Sequence, residues 1–452
     1  MTVAGADAAH AARRARLLQQ MAPGAVAVLA TAPEAPRNGD SDYPYRYDSY
    51  FYYLTGFTEP DSALVLVAAH GDAPARSILF CRPKHLEREI WDGFRYGPDA
   101  ARTAFGFDAA HPIDDLDSEL VALLADAPAL YCALARSSAL DAQIRHWMDG
   151  ARARARSGVR APASAVDVLP LLDAMRLFKD DSEQATMLRA ASISAEAHVR
   201  AMRSAGAQAA RAGLHEYELE AELLYAFRKR GAQAPAYNAI VAAGANACVL
   251  HYSANNAAIR DGDLVLIDAG CELDGYASDI TRTWPVNGRF TAPQRQLYEL
   301  VLAAQGAALD ALAPGRPYSG MHDAAVQVLA QGMLDLGLLD KNTCGSAADV
   351  IADKRHLQFY MHGTGHWLGL DVHDVGQYRD VHLPDKPSRA LQAGMVLTVE
   401  PGIYVRPAPG VPEQYWNTGV RIEDDVLITA TGHTILSADA PKTVADIEKL
   451  MQ

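Results

Sequence analysis

Cysteine is scarce in this chain, with five residues in 452, at Cys81, Cys132, Cys248, Cys271 and Cys344. They form no CxxC pair and their number is odd. That argues against a disulfide framework and for a reducing compartment, so a cytoplasmic location is expected. Long apolar runs are also missing: none approaches the ~20 residues needed to span a bilayer, and no membrane partner is expected. Positive charge is in deficit, with 41 Lys and Arg against 55 Asp and Glu, a net charge of −14. No basic cluster suits a phosphate backbone, which excludes nucleic acid as a partner. The run Arg152, Arg154, Arg156 is the one exception, and it reads as an exposed helix or linker face. Arg13, Arg14 and Arg16 precede the apolar stretch Gly24–Ala32 and weakly mimic a secretion signal. The stretch is short, begins after Pro23 and is rich in valine, so a first strand is the better reading.

What is present is a globular composition, half of it hydrophobic, in a chain longer than one core usually supports. Two domains are therefore expected. Residues 1–175 alternate strand-like runs (Ala63–Val67, Ser77–Cys81) with helix-like ones (Leu116–Ala125), an α/β pattern. Arg152–Ala165, rich in arginine and small residues, reads as a connector. A helical pattern restarts near Ser182 and gives two long helices, Glu183–Ala205 and Glu216–Arg230, the second closed by Gly231. From Tyr237 onward, strands alternate with helices such as Ala292–Ala311 and Tyr318–Leu336, so residues 176–452 form the second, α+β domain.

That second part carries five residues of types that hold metal ions: Asp268 in LVLIDAG, Asp279 in SDITRTWP, His366 in MHGTGHWLG, Glu400 in VLTVEPG and Glu423 in VRIEDD. Four carboxylates converging in one pocket could not all stay ionised. Two divalent cations would cancel their charge. The set, hard oxygen donors with one imidazole, suits Mn²⁺ and also accepts Co²⁺ or Zn²⁺. Local geometry supports part of the cluster. Leu264–Ile267 reads as a buried strand leading into Asp268, and Asp274-Gly275 is a two-residue hairpin signal. Such a turn sets residue 270 opposite 279 and makes Asp268 and Asp279 diagonal neighbours on one face. Arg421 and Glu423 are expected on one face of a later strand, and Glu400 at the end of Met395–Val399. Cys271 alternates away from Asp268 and is expected in the core.

These motifs resemble those of the "pita-bread" metallopeptidases, and within them bacterial aminopeptidase P. The similarity covers nearly the whole chain. It runs through DYPYRYDSYFYYLTGFTEPDSALVL and WDGFRYGPDAA in the first part. In the second it includes YNAIVAAGANACVLHYSANN, DGDLVLIDAGCELDGYASDITRTWPVNG, FYMHGTGHWLGLDVHDVG and MVLTVEPGIYV. The resemblance implies an α/β N-terminal domain followed by a pita-bread catalytic domain. It also implies hydrolysis of the N-terminal Xaa-Pro bond of peptides with proline at position 2. By the same resemblance Asp279 and Glu423 bridge both ions, Asp268 completes one side, and His366 and Glu400 the other. A water between two such ions loses a proton near neutral pH and becomes the nucleophile. Glu400 would then pass that proton toward the leaving nitrogen. His251, His362 and His373 are implied around the scissile bond as hydrogen-bond donors. Arg421 is implied to orient the carboxylates, and Tyr404 to line the pocket. Trp91, in WDGFRYGPDAA, is implied to reach a neighbouring subunit's active site in a homodimer or homotetramer. Prolidase, acting on Xaa-Pro dipeptides with the same ligands, is the near alternative. Methionine aminopeptidase lacks a comparable N-terminal domain. A non-catalytic binding module of the same fold would have lost ligands that are all present here.

Overall fold

A computed structural model describes the backbone of residues 4–208 and 213–452. The chain divides into two compact units, Met1–Arg176 and Leu177–Gln452.

The first unit is built on a six-stranded mixed sheet. Its strands are Val26–Ala30 (β1), Ala63–Val67 (β2), Arg76–Cys81 (β3), Ala109–Pro112 (β4), Ala129–Cys132 (β5) and Ser164–Asp167 (β6), in the order β4-β3-β2-β1-β5-β6. The valine-rich stretch after Pro23 is thus an inner strand, buried from Val26 to Leu29. Valine and isoleucine suit this pleated, doubly flanked position. The core includes Val28, Val65, Phe80, Leu130 and Trp147. Trp147 is fully buried and donates its indole N–H to Asp117 at 2.6 Å. The stretch Arg152–Ala165 is not a free connector. It ends the helix Ser138–Ala153, makes the 3₁₀ turn Arg154–Ser157 and leads into β6, which pairs in parallel with β5. Ala151 is buried on this helix while the three arginines face outward, so the charge run is the solvated side of an ordered element.

The second unit starts with the helix Asp181–Gln208. Its first turn is capped by Asp180, which accepts from the N–H groups of Ser182 and Glu183 (both 3.0 Å), while Glu183 reaches back to the Asp180 N–H at 2.9 Å. This is a capping box centred on Asp180, two residues before Ser182. Helices Glu216–Lys229, Ala292–Asp310 and Ser319–Asp335 follow. Four short sheets lie among the described residues of this unit. Ile240–Ala243 (β7), Leu264–Asp268 (β8) and Thr281–Pro285 (β11) form one antiparallel sheet, with β8 central. Cys271–Leu273 (β9) and Tyr276–Ala277 (β10) form a hairpin with Ala234–Pro235 alongside. Val396–Val399 (β12), Asp424–Ile428 (β15) and His433–Ile435 (β16) form another sheet, and Gly402–Val405 (β13) pairs with Thr418–Arg421 (β14). Cys271 is fully buried, as its strand parity requires. Among the described residues no helix is long and apolar enough to cross a membrane.

Candidate metal centre

The hairpin β8–β11 brings the first two carboxylates together. Asp268 lies opposite Thr281, and Glu272 opposite Ala277 across the turn at Asp274-Gly275. The register is continuous between these pairs, so residue 270 faces 279. The strands approach so closely there that a Cβ on Gly270 would lie 1.7 Å from the Ser278 carbonyl oxygen. Only glycine fits, and the pinch turns Asp268 and Asp279 to one side.

The other three candidates arrive from β12 and its neighbours. His366 is tied to β12 in both directions: its N–H donates to Thr398 Oγ1 (3.1 Å) and its carbonyl accepts from the Thr398 N–H (2.9 Å). Its Nδ1 sits 3.0 Å from the Trp367 carbonyl, which can only accept, so Nδ1 carries a proton and Nε2 faces the carboxylates. Nε2 is 3.4 Å from Asp279 and 3.7 Å from Glu400. Glu400 follows β12 directly, its N–H held by the Thr364 carbonyl at 2.8 Å. Glu423 is fixed from Thr281, whose carbonyl accepts the Glu423 N–H (3.0 Å) and whose hydroxyl donates to Glu423 Oε2 (2.6 Å). Arg421 and Glu423 do not share one continuous strand. The chain changes pairing partner between them, from β13 to β12, and Glu423 lies in the break. Both side chains nevertheless enter the same cavity.

That cavity, about 320 Å³, is lined by all five candidate ligands together with His251, His362, His373 and Arg421. Donor atoms of Asp279, His366 and Glu423 all lie within 4.8 Å of one another. Burial, and then repulsion among Asp279, Asp268 and their neighbours, push Glu400 up to about 7 and Asp279 and Glu423 above the usual carboxylate range. Burial alone would strip the proton from His366, but Asp279 and Glu400 outweigh it and raise the imidazole to about 9. A site that gathers acids and holds extra protons on them is one in which cations could replace those protons. The residues present fit divalent metal binding.

A chain of donors leads away from the centre. Arg421 donates to Asp268 (2.6 Å), to Thr281 Oγ1 (3.1 Å) and to the Tyr404 hydroxyl (3.0 Å). Tyr404 lies 2.9 Å from His362 Nε2, and His362 Nδ1 lies 2.7 Å from the Gly363 carbonyl. The only consistent polarity runs Arg421 to Tyr404 to His362, with neutral His362 accepting at Nε2. Burial and the nearby Arg421 charge hold His362 down at about 4. Tyr404 therefore stands behind the cavity wall, 2% exposed, where the resemblance implied a place in the lining. His373 packs against His366 with ring centroids 4.0 Å apart and the planes tilted by 31°. His251 and His373 make no hydrogen bond among the described residues. Trp91 belongs to the other unit, on the helix Leu86–Asp92, and is 83% exposed.

Three further residues at the centre carried no signal in the sequence. The Tyr237 hydroxyl reaches both Asp268 and Asp279, and with one hydrogen it serves one at a time. Thr281 joins Arg421 to Glu423. Asp425 accepts the Asp279 N–H with both oxygens, at 3.1 and 3.2 Å.

Comparison with known proteins decides the family. Residues 185–430 match the model of metallopeptidase family M24, and residues 10–131 that of the aminopeptidase P N-terminal domain. The chain belongs to metallopeptidase family M24. Its architecture is the aminopeptidase P N-terminal domain followed by the M24 pita-bread domain. It is 44% identical to the Xaa-Pro aminopeptidase of Escherichia coli over 439 residues, 97% of this chain and 96% of that protein. The Haemophilus influenzae Xaa-Pro aminopeptidase is equally similar, at 44% over the same shares. Among solved structures, Pseudomonas aeruginosa aminopeptidase PepP matches with a TM-score of 0.93 at 48% identity, covering 98% of both chains. A zinc-substituted E. coli aminopeptidase P in complex with product matches at 0.92 and 44% identity, again over 98% of both.

Proposed function

We propose that this chain is a metal-dependent aminopeptidase that hydrolyses the bond between an N-terminal residue and proline in peptides. The observation that carries this reading is the joint one: near-complete alignment to Xaa-Pro aminopeptidases, and five candidate ligands plus three histidines around one cavity. Asp268, Asp279, His366, Glu400 and Glu423 would hold the divalent ions. Mn²⁺ is the ion we favour for this mainly carboxylate set. When bound, such ions polarise the scissile carbonyl and acidify an attacking water.

The protein's own groups then do the rest. Glu400 takes the water's proton and delivers it to the leaving proline nitrogen. His251 and His373, free of other hydrogen bonds among the described residues, donate to the substrate and its developing oxyanion. His362 has both ring nitrogens engaged, so it shapes the wall unless it releases Gly363 or Tyr404. Arg421 orients Asp268 through their ion pair. A bond before proline has no N–H, so an enzyme that engages the carbonyl rather than that N–H is suited to it.

The remaining parts of the reading are that the enzyme is cytoplasmic, consistent with five unpaired buried cysteines, and works as a homodimer or homotetramer in which the first unit governs substrate access. Mn²⁺-loaded protein offered Xaa-Pro-Yaa tripeptides and Xaa-Pro dipeptides side by side tests the activity. Preferential release of Xaa from tripeptides is expected. Cleavage of dipeptides alone would make the chain a prolidase, and cleavage of neither would overturn the reading.

A further inference from the structure

His251 rides on the segment between β7 and β8, and one buried side chain outside the cavity gathers that segment. Glu216, fully buried at the start of the helix Glu216–Lys229, receives four hydrogen bonds. Oε1 accepts from the Ala243 N–H (2.8 Å) and Asn246 Nδ2 (2.9 Å). Oε2 accepts from the Tyr252 hydroxyl (2.8 Å) and the Ala257 N–H (2.9 Å). The Glu216 N–H in turn donates to the Ala257 carbonyl at 3.0 Å. These donors bracket His251 on both sides, and one of them is its immediate neighbour.

The chemistry demands a carboxylate. Both oxygens take two donors, which fills the acceptor capacity of an ionised carboxyl. A glutamine of the same shape would turn an NH₂ toward Tyr252 and Ala257. The Tyr252 hydroxyl could rotate and accept, but the Ala257 N–H cannot. A second clamp, Asn255, ties the same segment to β7 by accepting from Val241 N–H (3.0 Å) and donating to the Ala239 carbonyl (2.7 Å). Glu216 thus holds the segment on both sides of His251, and the Arg406 guanidinium adds a tie at the Cys248 carbonyl.

We propose that Glu216 is a positioning residue for the reaction: its carboxylate holds Tyr252 and Ala257 so that His251 is presented to the substrate at the metal centre. This rests on the reading of His251 given under Proposed function. Misplacing a substrate-contacting group by about an ångström lowers kcat/KM by about 100-fold, and partial loosening by less.

The test is a double-mutant cycle on the metal-loaded enzyme. E216Q and, as a milder change that removes one donor only, Y252F are each made in wild-type and H251A backgrounds. Metal content and amide exchange at Ala243 and Ala257 are measured alongside kcat and KM. The expected result is a loss of about 10- to 100-fold in kcat/KM for E216Q and a smaller one for Y252F, with metal content unchanged. Both losses should vanish in the H251A background, because the residue they act through is gone. If E216Q does not fold, Y252F carries the same cycle. Losses that persist unchanged beside a damaged H251A, or full activity in folded E216Q and Y252F, overturn the positioning role alone. An H251A enzyme as active as wild type overturns it together with the assigned role of His251, while tripeptide cleavage by the wild type would still stand.

Discussion

The buried Arg421 forms an ion pair with the part-buried Asp268 at 2.6 Å across a sequence separation of 153. The guanidinium spends its three directions on Asp268, Thr281 and Tyr404, and so ties two sheets together at the metal centre.

Arg421→Lys should therefore behave nearly as badly as Arg421→Ala. An ammonium can meet Asp268 but cannot reproduce the planar fork to Thr281 and Tyr404. A loss of about 10- to 100-fold in kcat/KM is expected for both, as for other groups that orient metal ligands. Steady-state kinetics on folded protein checks it, and near-normal activity in the lysine variant would remove the geometric argument.

Tyr237→Phe should weaken metal binding rather than substrate binding. The variant removes the one hydroxyl shared by Asp268 and Asp279 while keeping the ring. Calorimetric titration of the metal-free variant with Mn²⁺ should show affinity reduced by about 10- to 100-fold. Identical isotherms would make the hydroxyl incidental.

Chelation should abolish turnover and lower the melting temperature together. The clustered carboxylates repel in the absence of cations, and a metal that binds only the folded state adds about 2.7 kcal/mol at 100 times its Kd. Re-addition of Mn²⁺ should restore both, with two ions per chain by elemental analysis. A stoichiometry of one at saturation would contradict the paired site.

Asp424 offers a prediction read in stability. Burial raises its carboxyl, but Arg282 at 2.7 Å and Lys442 at 2.6 Å overcome that and bring it down to about 2. The folded value lies below the unfolded one, so the contribution is complete above the ordinary carboxylate range and fades as pH falls through about 2. Asp424→Asn leaves two cations without their partner and should cost about 3–5 kcal/mol in denaturant unfolding at neutral pH. A loss below ~1 kcal/mol would show that the network relaxes around the change.

Trp91→Ala should reduce cleavage of Xaa-Pro peptides with metal content intact, if Trp91 completes a neighbour's site. Its helix also exposes Leu86 and Ile90, an apolar face that a second copy would cover. Sedimentation of the variant together with kinetics distinguishes the outcomes, and a fully active wild-type monomer would return Trp91 to the surface.

Asp268, Asp279, Glu400 and Glu423 were legible in the sequence because each ends or flanks a short apolar strand, and strand parity is a local property, whereas His366 lies in an irregular segment and was legible from its motif alone. The Asp274-Gly275 turn even announced the register that pairs the first two. Local patterning also located the long helices to within a few residues, although it missed Asp180 as a cap and took the ordered end of the first unit for a connector. What chain-local rules could not supply were contacts between distant segments. Arg421 finds Asp268, Tyr404 moves behind the wall to His362, Tyr237 reaches two aspartates, and Glu216 gathers the loop of His251 only after four small sheets and their helices have packed. Hydrogen-bond satisfaction in a buried space is a three-dimensional requirement, set by which donors the packing strands beside which acceptors.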